Sequence, residues 1–443
     1  MSHYKTYPSY KDSGVEWLGA IPDNWEISRL GFESWVRARL GWKGLKAEEY
    51  VDDGYAFLST PDIKGTEIDF SDVNFITEER YEESPEIKLA VGDVLLTKDG
   101  STLGTVNVVR RLPRATTVNS SIAVITPFQR LSSLYLYYLF RGAYLENTIQ
   151  VLKGGMGVPH LFQWDINKFK IPLPSLVEQG EIAAHLDRET ARIDALIEKK
   201  AHFIDLLREK RRALITNAVT KGLSPTLKMK ESGVEWLGAI PEHWEALPLK
   251  RVVTAVKTGG TPSKEQPSPD ADGFAWYTPG DFDNSLVLSS SEKRVSALAV
   301  STGEAKVYPA GAVLVVSIGA TLGKVGYLVE SASANQQINA VIPNSRLNGY
   351  FLAYSLSVKT EAMWFLANAA TIGIMNQEKT KEIWLAVPSL SEQRAITEYL
   401  DKGTRRLDNL IGKTERSIDL LKVRRSALIT AAVTGQIDLR EMV

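Results

Sequence analysis

The chain of 443 residues contains no cysteine. That removes disulfides, a thiol nucleophile and thiolate metal sites, and it suits a reducing cytoplasm. The five histidines are His3, His160, His185, His202 and His243, and none forms an HExxH or other metal-ligand spacing. The formal net charge is -1, so no global basic field attracts nucleic acid, and any such surface must be local. No apolar run approaches the ~18 residues that span a bilayer. The polar opening MSHYKTYPSYKDSG lacks the apolar core of a signal peptide.

What is present is apolar periodicity. Hydrophobic residues make up 44% of the chain, enough to bury sizeable cores. From Pro174 to Gly222 they recur at helical spacing: Ile182, Leu186, Ile193, Leu196, Ile197, Phe203, Ile204, Leu207 and Leu214. No proline interrupts this run, and Gly222 with Pro225 marks its end. A helix of roughly 40 residues is a rod of about 60 Å, and its stripe needs a partner. The partner is in the same chain. From Pro388 to Gln436 the pattern returns without a gap as Ile396, Leu400, Leu407, Leu410, Ile411, Ile418, Leu421 and Leu428. The matching stripes predict that the two helices pack on each other as a coiled coil, through Leu186, Ile193, Leu196, Leu207 and Leu214 of the first and Leu400, Leu407, Leu410, Leu421 and Leu428 of the second. The alternative is that each helix packs separately on its own globular domain. Gly403 and Gly412 are expected to weaken the second helix, by about 1 kcal/mol each.

The repeat extends beyond the helices. SGVEWLGAIPDNWE (Ser13 to Glu26) returns as SGVEWLGAIPEHWE (Ser232 to Glu245), and its tryptophans Trp17, Trp25, Trp236 and Trp244 read as structural anchors. Between each such anchor and the following helix lies a strand-rich region. There FLSTPDI (Phe57 to Ile63) faces WYTPGDF (Trp276 to Phe282), and VGDVLLTKDGSTLGTV (Val91 to Val106) faces AGAVLVVSIGATLGKV (Ala310 to Val325). VNSSIAVI at Val118 to Ile125 likewise resembles NQQINAVI at Asn335 to Ile342. The fold expected is mixed α/β (α+β). Two strand-rich domains are joined by two long antiparallel helices, with an approximate two-fold internal repeat and the chain ends close together. The expected divisions are 1–174, 175–222, 223–388 and 389–443.

Catalytic patterns are weak. GATLGKV at Gly319 to Val325 suggests a phosphate loop, but it is too short between its glycines and lacks Ser or Thr after Lys324. The same turn recurs as GSTLGTV, so a structural hairpin is expected. Pro61-Asp62 with the later Glu86-Ile87-Lys88 matches the PD…ExK pattern of magnesium nucleases, but Glu86 and Lys88 align with Ala305 and Val307. Asp62 and its counterpart Asp281 are expected to brace turns instead. Binding signals are local. Arg37, Arg39, Lys43 and Lys46 cluster in RARLGWKGLK, while Lys257, Thr258, Thr261, Ser263 and Lys264 lie in KTGGTPSK. Lys64, Lys98, Ser101, Thr102, Lys153, Thr321, Lys324, Asn335 and Gln336 lie in or near expected loops and turns. Such side chains can hold phosphates and read base edges.

The anchor YKDSGVEWLGAIPDNWE, the GTP turn at Gly260 to Pro262, PLPSLVEQ before the first helix and VPSLSEQ before the second closely resemble the specificity subunit of type I restriction–modification systems. The resemblance covers essentially the whole chain. It implies two target recognition domains, each reading one half of a split, asymmetric sequence in double-stranded DNA, and helices that set the unread spacer. It implies docking of two modification (methyltransferase) subunits and association with restriction (translocase–nuclease) subunits. It implies no catalysis and no cofactor in this chain: S-adenosylmethionine belongs to the modification subunits, and ATP with magnesium to the restriction subunits. It implies a cytoplasmic protein with no membrane contact. Readings of another class are a nuclease or methyltransferase acting by itself, or a coiled-coil adaptor between proteins.

Overall fold

The computed structural model describes residues 4–39, 45–143, 160–263, 267–283, 285–288, 290–367 and 373–440. It divides into two compact units, 1–201 with 416–443, and 202–415. The long helices, Leu176–Lys221 and Leu390–Val433, are each shared between the units.

The first unit opens on the anchor. Strand Tyr10–Asp12 pairs antiparallel with Ala20–Pro22, Lys11 opposite Ile21. Trp25 follows the hairpin and is fully buried, whereas Trp17 stays 41% exposed. A four-stranded antiparallel sheet has the order Ser34–Arg37, Ile122–Pro127, Val94–Thr97, Val106–Val108. Its two middle strands read as continuous apolar runs because both faces are covered. A second sheet pairs Tyr55–Leu58 antiparallel with Asn74–Ile76 and parallel with Thr116–Val118. The short helix Ser133–Arg141 buries six consecutive residues, Tyr135 to Phe140, in the main core.

The second unit repeats this order. Met229–Glu231 pairs with Ala239–Pro241, Trp244 is fully buried and Trp236 is not. The larger sheet runs Val253–Thr258, Ile338–Pro343, Val313–Val316, Val325–Leu328, Val287–Leu288. A smaller one holds Arg294–Ser296, Gly273–Tyr277 and Ser333–Ala334. The expected glycine hairpins are present in both units. Gly100 and Gly104, and Gly319 and Gly323, all have positive φ, which residues with a Cβ rarely adopt.

Each unit contains a stretch of both helices. In the first, Asp194 pairs with Arg425 at 3.2 Å. In the second, Arg211 pairs with Asp408 at 2.8 Å and Arg208 with Glu415 at 3.3 Å, an antiparallel progression. Gly403 has a packing reason: a Cβ there would lie 2.7 Å from Leu214 Cδ2. The two packing alternatives are realised together. Ile182, Ala183 and Leu186 enter the globular core of the first unit alongside Leu428, Ile429 and Val433. Ile396 and Leu400 do the same in the second unit alongside Ile215 and Val219. Of the expected stripe, Leu186, Ile193, Leu207, Leu400, Leu407 and Leu428 are buried, and Leu214 and Leu421 are half-buried. Leu196 and Leu410 correct that expectation, since both are exposed. Each lies three residues past a buried position, Ile193 or Leu407, hence roughly 60° around the helix from the seam.

Fasteners tie each helix to its globe. Tyr138 donates to Asp187 Oδ1 at 2.6 Å, and Tyr354 donates to Asp401 Oδ1 at 2.8 Å. Burial, then the neighbouring carboxylate, pushes both phenols above the usual tyrosine range. An upward shift means that the stability they contribute is complete below pH ~10 and declines as pH rises above it. We expect the urea midpoint to fall above that pH, and Tyr354→Phe to flatten the fall. A midpoint independent of pH in this range would contradict the assignment.

Candidate nucleic-acid interface

The loops expected to face DNA are held by repeated turn chemistry. Asp62 accepts from Ser59 N at 2.6 Å and Ser59 Oγ at 2.8 Å, and Asp281 accepts from Thr278 N and Oγ1 at the same distances. Both aspartates brace turns, as expected. Among the described residues no cluster of three or more His, Asp or Glu could hold a metal ion. Asn119 and Asn335 occupy equivalent turns. The side chain of each accepts from the backbone two residues on, Ser121 N at 3.1 Å and Gln337 N at 3.0 Å.

The second unit brings several candidates together. Gly259 packs so closely on the turn at Asn335 that a Cβ would lie 2.0 Å from the Asn335 carbonyl oxygen. Gly260 N donates to Ala334 O at 2.8 Å, and Trp276 Nε1 donates to Gly260 O at 3.0 Å. This clamp places Thr261 Oγ1 2.8 Å from Gln336 Oε1, with both residues exposed, and Thr258 Oγ1 2.8 Å from Asn339 Oδ1. Lys257 and Ser263 are exposed beside them in the chain. Asn335 is itself buried and committed to its turn, which corrects its expected role as a reader. Lys306 and Gln377 join the group, although the sequence reading did not include them. Lys306 Nζ donates to Thr258 O at 3.2 Å, and Gln377 contacts Thr258 Oγ1 at 3.0 Å. Lys324 donates to Phe282 O at 2.7 Å. With Thr321 it lines a hollow of about 390 Å3 beside Arg211 and Trp364 of the same unit.

The first unit differs. Arg37 is buried, its guanidinium 3.0 Å from both oxygens of Asp93 and 3.2 Å from the carbonyls of Glu86 and Lys88. Arg39 is also covered, 3.9 Å from Glu83, and desolvation lowers its pKa. Both arginines were expected at a surface; the structure assigns them to internal ion pairing. Lys98 Nζ lies 3.3 Å from Asp99, which is 3.5 Å from His160 Nδ1. Ser101 and Thr102 sit at the tip of the glycine hairpin, and Lys46 and Lys64 are exposed. Lys43, Lys153 and Lys264 lie outside the described residues.

The EQ dipeptides in the first turns of the two long helices, Glu178-Gln179 and Glu392-Gln393, have a physical role. Glu178 accepts from Tyr7 Oη at 2.7 Å, Trp25 Nε1 at 3.0 Å and Asn24 Nδ2 at 3.1 Å. Glu392 accepts from Trp244 Nε1 at 3.3 Å and contacts His243 Nε2 at 2.9 Å. Burial pushes the Glu392 carboxyl up, but hydrogen bonds from His243, Trp244 and Ser389 outweigh it and hold it below the usual range. Gln179 and Gln393 accept from Ser132 N and Asn348 N, each at 2.7 Å, at the starts of the two short buried helices. The signal in the sequence was the pairing of each buried tryptophan with a glutamate at the first turn of a long helix.

Comparison with known proteins matches this architecture. The family model for the type I restriction modification DNA specificity domain matches residues 22–203 and again 241–418. A putative specificity subunit of a type I restriction enzyme from Methanocaldococcus jannaschii is 22% identical over 96% of both chains. One from Salmonella potsdam is 19% identical, over 95% of this chain and 90% of that one. A solved chain from a type I R-M system superposes with a TM-score of 0.74 at 18% identity, covering 93% of this chain and 98% of that one. The HsdS subunit of Thermoanaerobacter tengcongensis gives 0.54 at 17%, covering 94% and 98%. With its duplicated anchors, helix fasteners and recognition sheets, the chain belongs to the type I restriction modification DNA specificity family, of which it carries two domains.

Proposed function

We propose that this chain is the DNA-reading, non-catalytic subunit of a type I restriction–modification assembly. Each unit reads one half of a bipartite target, the paired helices hold the readers apart, and modification subunits dock on the chain, with restriction subunits completing the assembly. The observation that carries this reading is a contrast. The fasteners Trp25–Glu178 and Trp244–Glu392 are duplicated, while exposed side chains at equivalent turns differ: Ser101 stands in the first glycine hairpin where Ala320 stands in the second, and Ser120 follows Asn119 where Gln336 follows Asn335. Constant fastening with divergent readers suits recognition of two different half-sites. Asp62, the residue an independent nuclease would need, already spends one carboxylate oxygen on its own turn.

Phosphate contacts release counterions, so affinity for the target should fall with salt. Lys257→Ala and Lys46→Ala, both at exposed positions, should each flatten the salt slope by about one unit without changing the methylated sequence. Arg37→Ala should leave the slope unchanged and lower stability instead, because its guanidinium is an internal partner of Asp93. Filter binding at several salt concentrations, with mapping of methylated sites in the assembled complex, checks this. An unchanged slope in both lysine variants would count against these loops.

A further inference from the structure

We propose that the first unit carries a docking surface for an acidic, amphipathic segment of a partner protein, centred on Trp35 and Trp164. Phe32, Trp35, Phe128, Phe162 and Trp164 are each between 50% and 70% exposed. Four of them line a hollow of about 510 Å3 together with Gly31, Arg29 and Lys168, and Phe162 stacks on Trp164 with centroids 6.1 Å apart. One exposed aromatic is ordinary, but five around one hollow mark an interaction surface.

The fold does not require them. Strand register places Ala255 opposite Ile342 where Trp35 lies opposite Thr126. In the same correspondence Phe128, Phe162 and Trp164 become Asn344, Asn376 and Glu378, and Lys168 becomes Glu382. The second unit therefore builds the same strands and short helix with alanine or polar side chains at these positions. The aromatic surface is specific to the first unit.

Charge selects the partner. Arg29 and Lys168 are exposed at the hollow, and among the described residues neither has a carboxylate partner. Glu26 and Glu33, the acids nearest Arg29 in the chain, are taken by Arg130 at 2.5 and 3.5 Å. A segment offering carboxylates to the two cations and apolar side chains to the hollow satisfies both. A single nucleic-acid strand fits less well, because stacking needs free ring faces. Here cations already lie over the rings: Arg29 over Phe32 at 5.8 Å, Arg37 over Trp35 at 4.5 Å and Lys168 over Trp164 at 4.1 Å.

The test uses the full chain and labelled amphipathic peptides of about five helical turns, apolar on one face and bearing either Glu or Lys on the other. Fluorescence polarisation should give saturable binding of the Glu peptide. Trp35→Ala with Trp164→Ala should weaken it by ~10-fold or more. Arg29→Glu with Lys168→Glu should transfer the preference to the Lys peptide, and Asn344→Ala with Asn376→Ala should change nothing. Melting curves establish that each variant is folded. Four outcomes overturn the proposal: no saturable binding; equal affinity for the two peptides; a single-stranded oligonucleotide whose binding alone depends on Trp35 and Trp164; or a doubling of mass that those tryptophans control, which would make a second copy the occupant.

Discussion

Replacing Glu178 with alanine should lower the melting temperature of the first unit by roughly 8–15 °C. The carboxylate is buried and accepts from three donors on the anchor: Tyr7, Asn24 and Trp25. Its removal strands them, and the donors of Tyr7 and Trp25 lie where water does not reach. An unsatisfied buried donor costs ~1–3 kcal/mol, so a loss of about 3–5 kcal/mol is expected. Glu178→Gln keeps one acceptor oxygen and should cost less than half as much. Glu392→Ala, in the second unit, should also cost less, because Glu392 is more exposed and its Trp244 contact is longer. Calorimetry resolving the two transitions is the measurement. A shift below ~2 °C for Glu178→Ala would mean that the anchor is held by apolar packing alone.

The second large effect is a change of target. The first unit needs Leu428, Ile429, Ala432 and Val433 in its core. A fragment ending at Leu223 lacks them, yet its own Leu214, Ile215, Ala218 and Val219 repeat that series. Two copies can exchange these segments, the 202–221 stretch of each serving where 416–433 serves in the whole chain. We expect a homodimer that, with the modification subunit, methylates a palindrome built from the first half-site, with a gap close to the native one. Mass in solution and methylation mapping decide it. A monomer, or a dimer whose targets are not inverted repeats, would refute the exchange.

Much of this fold is legible in the residues because it rests on periodicity. The apolar series from Ile182 to Leu214 and from Ile396 to Leu428 requires helices, and the two glycines of GSTLG and GATLG require tight hairpins. Asp62 could be placed in a turn because Asp281 repeats it without the rest of a nuclease pattern. Surface assignment was harder. Arg37 and Arg39 sit in a basic run, and nothing local reveals that Asp93 and Glu83, more than forty residues on, draw them inward. Leu196 and Leu410 show the same limit for helices, since composition does not distinguish the edge of a seam from its centre. The readers were only partly legible. Thr261 and Gln336 could be named from their loops, but Lys306 and Gln377 join them solely through tertiary contacts.

The first unit closes with residues from both ends of the chain, whereas the second is one continuous stretch from His202 to Glu415. On the ribosome this reverses the usual order, in which the N-terminal domain matures first. The second unit has all its core residues once Glu415 has emerged. The first must wait for Leu428 to Leu439, with Ile182 and Leu186 lacking their final neighbours in the interval. Nascent chains are thus open to mispairing longest at their earliest-made segment. A stall or premature stop late in translation would spare the second reader and cost the first.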